Sequence, residues 1–183
     1  MIRNLIQNNL RVQFRIIKAL IFREIITRYG RKNIGALWLF VEPLVFTLGV
    51  SALWFLVKGI TSDSITPFAF ALTGYSTVLL WRNSSNRCVL AVEPNQALMY
   101  HRNVNLIDIF LSRLLLEMIG VTMSFIILFI IFYFFNQIDF PKDLIKVIYA
   151  WILLIWFATA LGIFIGCATE LFSFVEKIWH PFT

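Results

Sequence analysis

The side chains best suited to chemistry are two histidines, His101 and His180, and two cysteines, Cys88 and Cys167. Their placement argues against catalysis. Neither histidine stands beside a nucleophile, and the chain has no Gly-x-x-x-x-Gly-Lys-Ser/Thr phosphate loop, no His-Glu-x-x-His and no Gly-x-Ser-x-Gly. The cysteines are far apart, without a Cys-x-x-Cys or histidine partner, so they read as small packing residues and imply neither a disulfide framework nor a zinc site.

The charged and polar residues near apolar runs carry more information. Glu42 sits about one and a half turns into the first long apolar run, where an ionised carboxylate costs several kcal/mol unless it faces protein, water or a cation. Pro43 removes a backbone donor next to it and predicts a break or kink. A bend into a bundle and a carboxylate reaching back to the interface are both open readings of this pair. Arg113 and Glu117 are four apart on a helix and share a face, so an intrahelical pair or contacts to another helix are expected. Arg82, Asn83, Asn86 and Arg87 form a polar run inside a second apolar segment. They line an aqueous path or they tie helices together.

The elements that must position these residues follow from hydropathy. Hydrophobic residues make up 60% of the chain and charged residues 14%, with a mean hydropathy of +0.81. Soluble domains carry roughly 25% charged residues, so this composition predicts an all-α integral membrane protein. Four spans are expected, at 37–57, 67–92, 110–135 and 145–167, the last loosened in its far half by Gly162 and Gly166. The first is about 31 Å long at 1.5 Å per residue, against a hydrocarbon core of about 30 Å. Residues 1–36 form an amphipathic segment: Ile6, Leu10, Phe14, Ile17, Ile21 and Ile25 recur at three- and four-residue steps, with Arg11, Arg15 and Lys18 on another face. That pattern suits a helix lying in the headgroup plane beside anionic lipid, or a soluble helix packed on a partner. Nothing in the N-terminal sequence resembles a cleaved leader.

The basic residues give an orientation. Arg3, Arg11, Arg15, Lys18, Arg23, Arg28, Arg31 and Lys32 precede the first span, Arg82, Arg87, Arg102 and Arg113 lie about the connection between the second and third, and Lys177 follows the fourth. Only Lys58, Lys142 and Lys146 fall on the other side, so the N-terminus, the 93–108 loop and the C-terminus are expected in the cytoplasm. The net charge of +6 is thereby a topology signal, and nucleic-acid binding is the losing explanation for it. The 93–108 loop itself reads as a short helix with an apolar, aromatic centre, suited to docking into a groove of a partner.

Three stretches resemble a known family: REIITRYGRKNIGALWLFVEPL, LTGYSTVLLWRNSSNR and QALMYHRNVNLIDIFLSRLLLE. They are similar to the inner-membrane permease subunit of bacterial capsule-polysaccharide ABC exporters, a branch of the ABC-2 transporter family, over essentially the whole chain to about Lys177. The resemblance implies a permease without ATPase activity that binds no cofactor. It would work as a homodimer in the bacterial inner membrane with two copies of a separate ABC ATP-binding subunit. ATP and Mg would be bound in that subunit. The cargo would be lipid-linked capsular polysaccharide, handed to periplasmic and outer-membrane export components.

Residue by residue, the family's coupling loop falls on Glu93 to Asp108, which puts ATPase docking on Glu93, Gln96, Tyr100, His101, Arg102 and Asp108. Its interface helix and the start of the first span fall on Arg23, Glu24, Arg28, Arg31, Trp38, Glu42 and Pro43. Arg82, Asn83, Asn86 and Arg87 are the candidate translocation path. Family members continue through a re-entrant fifth segment and a sixth helix, whereas this sequence stops at Thr183, and a fragment or a truncated product is expected. The competing readings are a membrane-bound enzyme or assembly factor for cell-surface glycan, and a remnant that does not transport. Aromatic residues such as Trp38 and Trp54 fit an interfacial belt better than a sugar-stacking path.

Overall fold

The computed structural model describes residues 2–30, 34–58, 66–101 and 104–182, and among these there is no strand. The long helices are α1 (Ile2–Tyr29), α2 (Ile34–Lys58), α6 (Leu106–Phe134) and α7 (Leu144–Leu171). Three of them contain stretches long and apolar enough to cross a membrane, Leu37–Val57, Leu106–Phe134 and Leu144–Leu171. In lipid a chain must satisfy its backbone internally, and a helix does so within one segment.

The second expected span is a composite. Helix α3 (Pro67–Phe70) runs through a π-helical turn at Ala71–Tyr75 into α4 (Ser76–Cys88). It starts on Thr66, whose Oγ1 accepts from the Ala69 N–H at 3.2 Å, with Pro67 in the first turn where no donor is needed. In and beside the widened turn, Thr73 Oγ1 donates to the Ala69 carbonyl and Thr77 Oγ1 to the Gly74 carbonyl. The polar run from Arg82 to Arg87 keeps this helix out of the apolar class. It survives because α7 and α6 cover it, so that Ser84, Ser85 and Cys88 are buried.

Gly162 and Gly166 do not loosen α7, which is continuous from Leu144 to Leu171. Both are buried where α7 crosses α4 and α6. A Cβ at Gly162 would stand 2.7 Å from Leu114 Cδ2, and one at Gly166 would stand 2.7 Å from Phe110 Cε1 and 3.0 Å from Cys88 Cβ. The absent side chains let the helices approach, as small residues do in membrane packing.

Pro43 does not break α2 either. The helix runs through it, and neighbours occupy the place where a ladder bond is lost. The Leu39 carbonyl lies against Gly120, 3.1 Å from where a Cβ would be, and Ser124 Oγ donates to the Phe40 carbonyl at 2.7 Å. At the opposite end of the bundle, α3, the π-turn, α6 and α7 splay around an apolar cavity of about 460 Å³ lined by Leu72, Phe125, Phe129, Val147 and Trp151.

Past α4, Leu90 takes a left-handed φ of 49° and the chain turns through Glu93–Asn95 into the short α5 (Gln96–His101). Helix α8 (Ser173–Phe182) follows α7 after a one-residue break. Helix α1 packs chiefly on α6 and α2. Its bundle side carries Leu20, which is buried, and Ile16, which is partly so, while Phe14 and Phe22 are exposed.

Candidate functional site

The charged side chains singled out from sequence meet at one end of the bundle, where α1 lies along α6 and over the α4–α6 connection. Gln13, Leu20, Glu24 and Arg28 recur at helical spacing and make one stripe, so a single face of α1 supplies both the apolar contact and the charges. At its N-terminal part, Gln13 Nε2 donates to Asp108 Oδ1 at 3.1 Å. Further along, Arg23 Nη1 donates to Asn95 Oδ1 and Nη2 to the Pro94 carbonyl, at 3.2 Å for the latter. Asn95 in turn donates to the Ala91 carbonyl at 2.7 Å. The connection is thus tied to α1 before α5 begins.

Next comes a five-residue ionic junction. Arg28 pairs with Glu24 one turn back at 2.8 Å and reaches Glu117 on α6 at 2.5 Å. Glu117 Oε1 also accepts from Arg87 Nε of α4 at 3.0 Å. Arg113 Nε lies 3.3 Å from Glu24 Oε1, and its Nη1 donates to the Arg87 carbonyl at 2.8 Å. Side-chain exposure is 6% for Glu117 and 12–14% for Arg28, Glu24 and Arg113, but 37% for Arg87. Buried ions at this level are costly unless paired, and here each carboxylate serves two arginines. Burial opposes the charge on Arg28, but Glu117 and then Glu24 outweigh it and raise its pKa above the ordinary arginine value. Arg28 therefore stays cationic at any physiological pH.

Of the sequence-assigned residues, Arg23, Glu24, Arg28 and Arg87 come together here, joined by Arg113 and Glu117. The last two reach other helices. Trp38 is exposed, Glu42 half-buried and Pro43 buried, all along α2 and apart from these bonded contacts. Arg31 and Arg102 lie outside the described residues. Asn86 Oδ1 accepts from Trp179 Nε1 of α8 at 3.0 Å, so Asn86 and Arg87 act as interhelical ties. Arg82 and Asn83 are half-buried, and Arg82 Nε is buried without a hydrogen-bond partner.

On the connection, Glu93, Gln96 and Tyr100 are exposed, Tyr100 at 87%, while Leu98 and Met99 pack inward, and His101 closes α5. Asp108 corrects its assignment as a docking contact. It is fully buried, and its Oδ2 accepts from the Asn105 N–H at 3.1 Å, a carboxylate spent on starting α6 and holding Gln13. Gln13, Asn95 and Glu170, whose Oε1 accepts from the Val92 N–H at 3.2 Å, went unassigned from sequence. Only Gln13 left a trace, as a polar residue on the apolar stripe of α1. Among the described residues no three His, Cys, Asp or Glu side chains converge as a metal site requires.

Helix α1 is thus bonded to the base of α6 and, through Arg113 and Glu117, to the end of the polar-faced α4, with the short α5 beside it. The family model for ABC-2 type transporters matches residues 15–183. The chain belongs to the ABC-2 type transporter family. Among curated proteins, this family member is 41% identical over 173 residues to the capsule polysaccharide export inner-membrane protein BexB of Haemophilus influenzae, covering 94% of this chain and 65% of BexB. It is 41% identical over 175 residues to CtrC, a capsule polysaccharide export inner-membrane protein of Neisseria meningitidis, covering 96% of this chain and 66% of CtrC. The polysialic acid transport protein KpsM of Escherichia coli is 29% identical over 167 residues, 91% of this chain and 65% of KpsM. The chain thus spans a little under two thirds of the length of the relatives it matches.

Proposed function

We propose that this ABC-2 chain is a permease subunit of an ATP-driven exporter that moves lipid-linked capsular polysaccharide across the bacterial inner membrane. The reading rests on the relatives' names and on one structural observation. The connection that carries the exposed Glu93, Gln96 and Tyr100 is tied at its start by Arg23, on Asn95 and Pro94, and by Glu170, on Val92, beside the ionic junction. That face suits a separate ATP-binding subunit, which would bind ATP and Mg and deliver a push where the chain is best braced to receive it. The N-terminus and α5 would lie in the cytoplasm, following the basic residues of α1 and the α4–α6 connection. Two copies of the permease would enclose the export path.

Co-purification with the ATP-binding subunit tests the docking face. Changing Tyr100 to Ala should weaken recovery of the complex about tenfold or more, as expected for an exposed aromatic anchor. Asp108→Asn, at a buried position, should leave docking intact once the protein folds. Undiminished recovery with Tyr100→Ala and Gln96→Ala together would refute the assignment.

A further inference from the structure

The ionic junction has a geometry that simple charge neutralisation does not require. Glu24 and Arg28 of α1 hold both of the side chains that anchor the end of α4. One anchor is Arg113, whose Nε lies at Glu24 while its Nη1 caps the Arg87 carbonyl in the last turn of α4. A basic side chain on a late helix carbonyl satisfies an acceptor that has no intrahelical partner. The other anchor is Glu117, whose single Oε1 is shared between Arg28 of α1 and Arg87 of α4. Immediately beyond, Leu90 takes a φ of 49° and Asn95 is bonded by Arg23, next to Glu24 in sequence, so α1 also fixes where the connection leaves α4.

We infer that Arg113 and Glu117 are positioning residues that make the last turn of α4 follow the position of α1. Displacing α1 removes the acid that orients Arg113 and the arginine that shares Glu117. The Arg87 carbonyl then loses the acid that holds its cap in place, and Glu117 is left with Arg87 alone. A push received at Glu93, Gln96 or Tyr100 is thereby delivered to α1 and to the polar half of the composite span together. This deepens the proposed function, since its use depends on a partner pressing on α5. The coupling itself is a property of the chain alone.

Amide hydrogen exchange of the 183-residue chain in lipid nanodiscs reads it directly. In Glu24→Gln, amides from Arg87 to Val92 should exchange about tenfold faster or more, the scale set by losing a charge-assisted hydrogen bond. Those amides are not on the substituted helix. Arg28→Lys keeps the charge but lacks the guanidinium fork needed to serve Glu24 and Glu117 at once, so it should give a smaller increase in the same segment. It also serves as the second measurement if Glu24→Gln does not fold. Arg15→Gln, exposed on the same helix, should change neither segment. Faster exchange confined to α1 in both junction variants would overturn the inference, as would the same loosening of α4 by Arg15→Gln. Failure of ATPase docking would leave this result untouched, and failure here would leave the docking result untouched.

Discussion

The glycines of α7 offer a test in which the sign of the effect separates two physical accounts. If Gly166 relaxes its helix, Gly166→Ala stabilises the protein by about 0.8–1 kcal/mol, the ordinary helix-propensity difference. The packing points the other way. The new Cβ would meet Phe110 Cε1 at 2.7 Å and Cys88 Cβ at 3.0 Å, and Phe110 is 1% exposed, so its ring cannot swing away. Overpacking of this kind costs about 1–3 kcal/mol, and a contact against a trapped ring and a near-backbone carbon belongs in the upper half. Subtracting the propensity gain leaves Gly166→Ala destabilised by about 1–2 kcal/mol. At Gly162 the one close contact is Leu114 Cδ2 at 2.7 Å, the end of a branched chain with more torsions than a ring but as buried as Phe110, so Gly162→Ala should be destabilised by less than Gly166→Ala, by up to about 1 kcal/mol. Gly49, with nothing within 4 Å, should gain up to about 1 kcal/mol when changed to Ala. Reversible unfolding in mixed micelles with increasing SDS, followed by circular dichroism, gives the three values on one scale. Adding Phe110→Leu to Gly166→Ala should destabilise less than the two changes summed, because the smaller side chain vacates the contested space. A stabilised Gly166→Ala, or strict additivity with Phe110→Leu, would refute the close-packing account.

Two further outcomes follow from the charges. Glu117→Ala leaves Arg28 with Glu24 alone and takes from Arg87 its acid, and should cost about 2–3 kcal/mol in the same unfolding assay, below the about 3–5 kcal/mol of a fully unpaired buried charge because Arg28 keeps one partner and Arg87 has solvent access. Lys146→Ala, which removes the exposed pair with Asp143 at 2.9 Å while leaving Asp143 as the N-cap of α7, should cost no more than about 1 kcal/mol, a cost that shrinks further in high salt.

The helices were legible because hydrocarbon leaves a chain few choices. Runs such as 37–57 and 145–167 must be helical to satisfy their backbones. Less legible was the second span, since Arg82 to Arg87 break its hydropathy and only the cover supplied by α7 and α6 makes that polarity tolerable. The interhelical bonds of Asn86 and Arg87 could not be read along the chain, because their partners, Trp179 and Glu117, lie 93 and 30 residues away. Asp108 looked like a surface acid in a docking loop. Its neighbour in space is Gln13, 95 residues earlier, and nothing local reports that pairing.

Composition, apolar run length and the distribution of arginine and lysine therefore determined the class of molecule, its helical build and an expected orientation, and three sequence stretches pointed to its family. These are properties of each segment against its solvent, lipid or water, and they need no knowledge of neighbours. Tertiary structure alone decided which helices touch. It turned Gly162 and Gly166 into points of close approach, kept α2 running through Pro43, and drew Arg113 and Glu117 away from each other toward α1 and α4. The reason is common to all of these. A buried charge or a missing side chain demands compensation, and only the packing determines who supplies it.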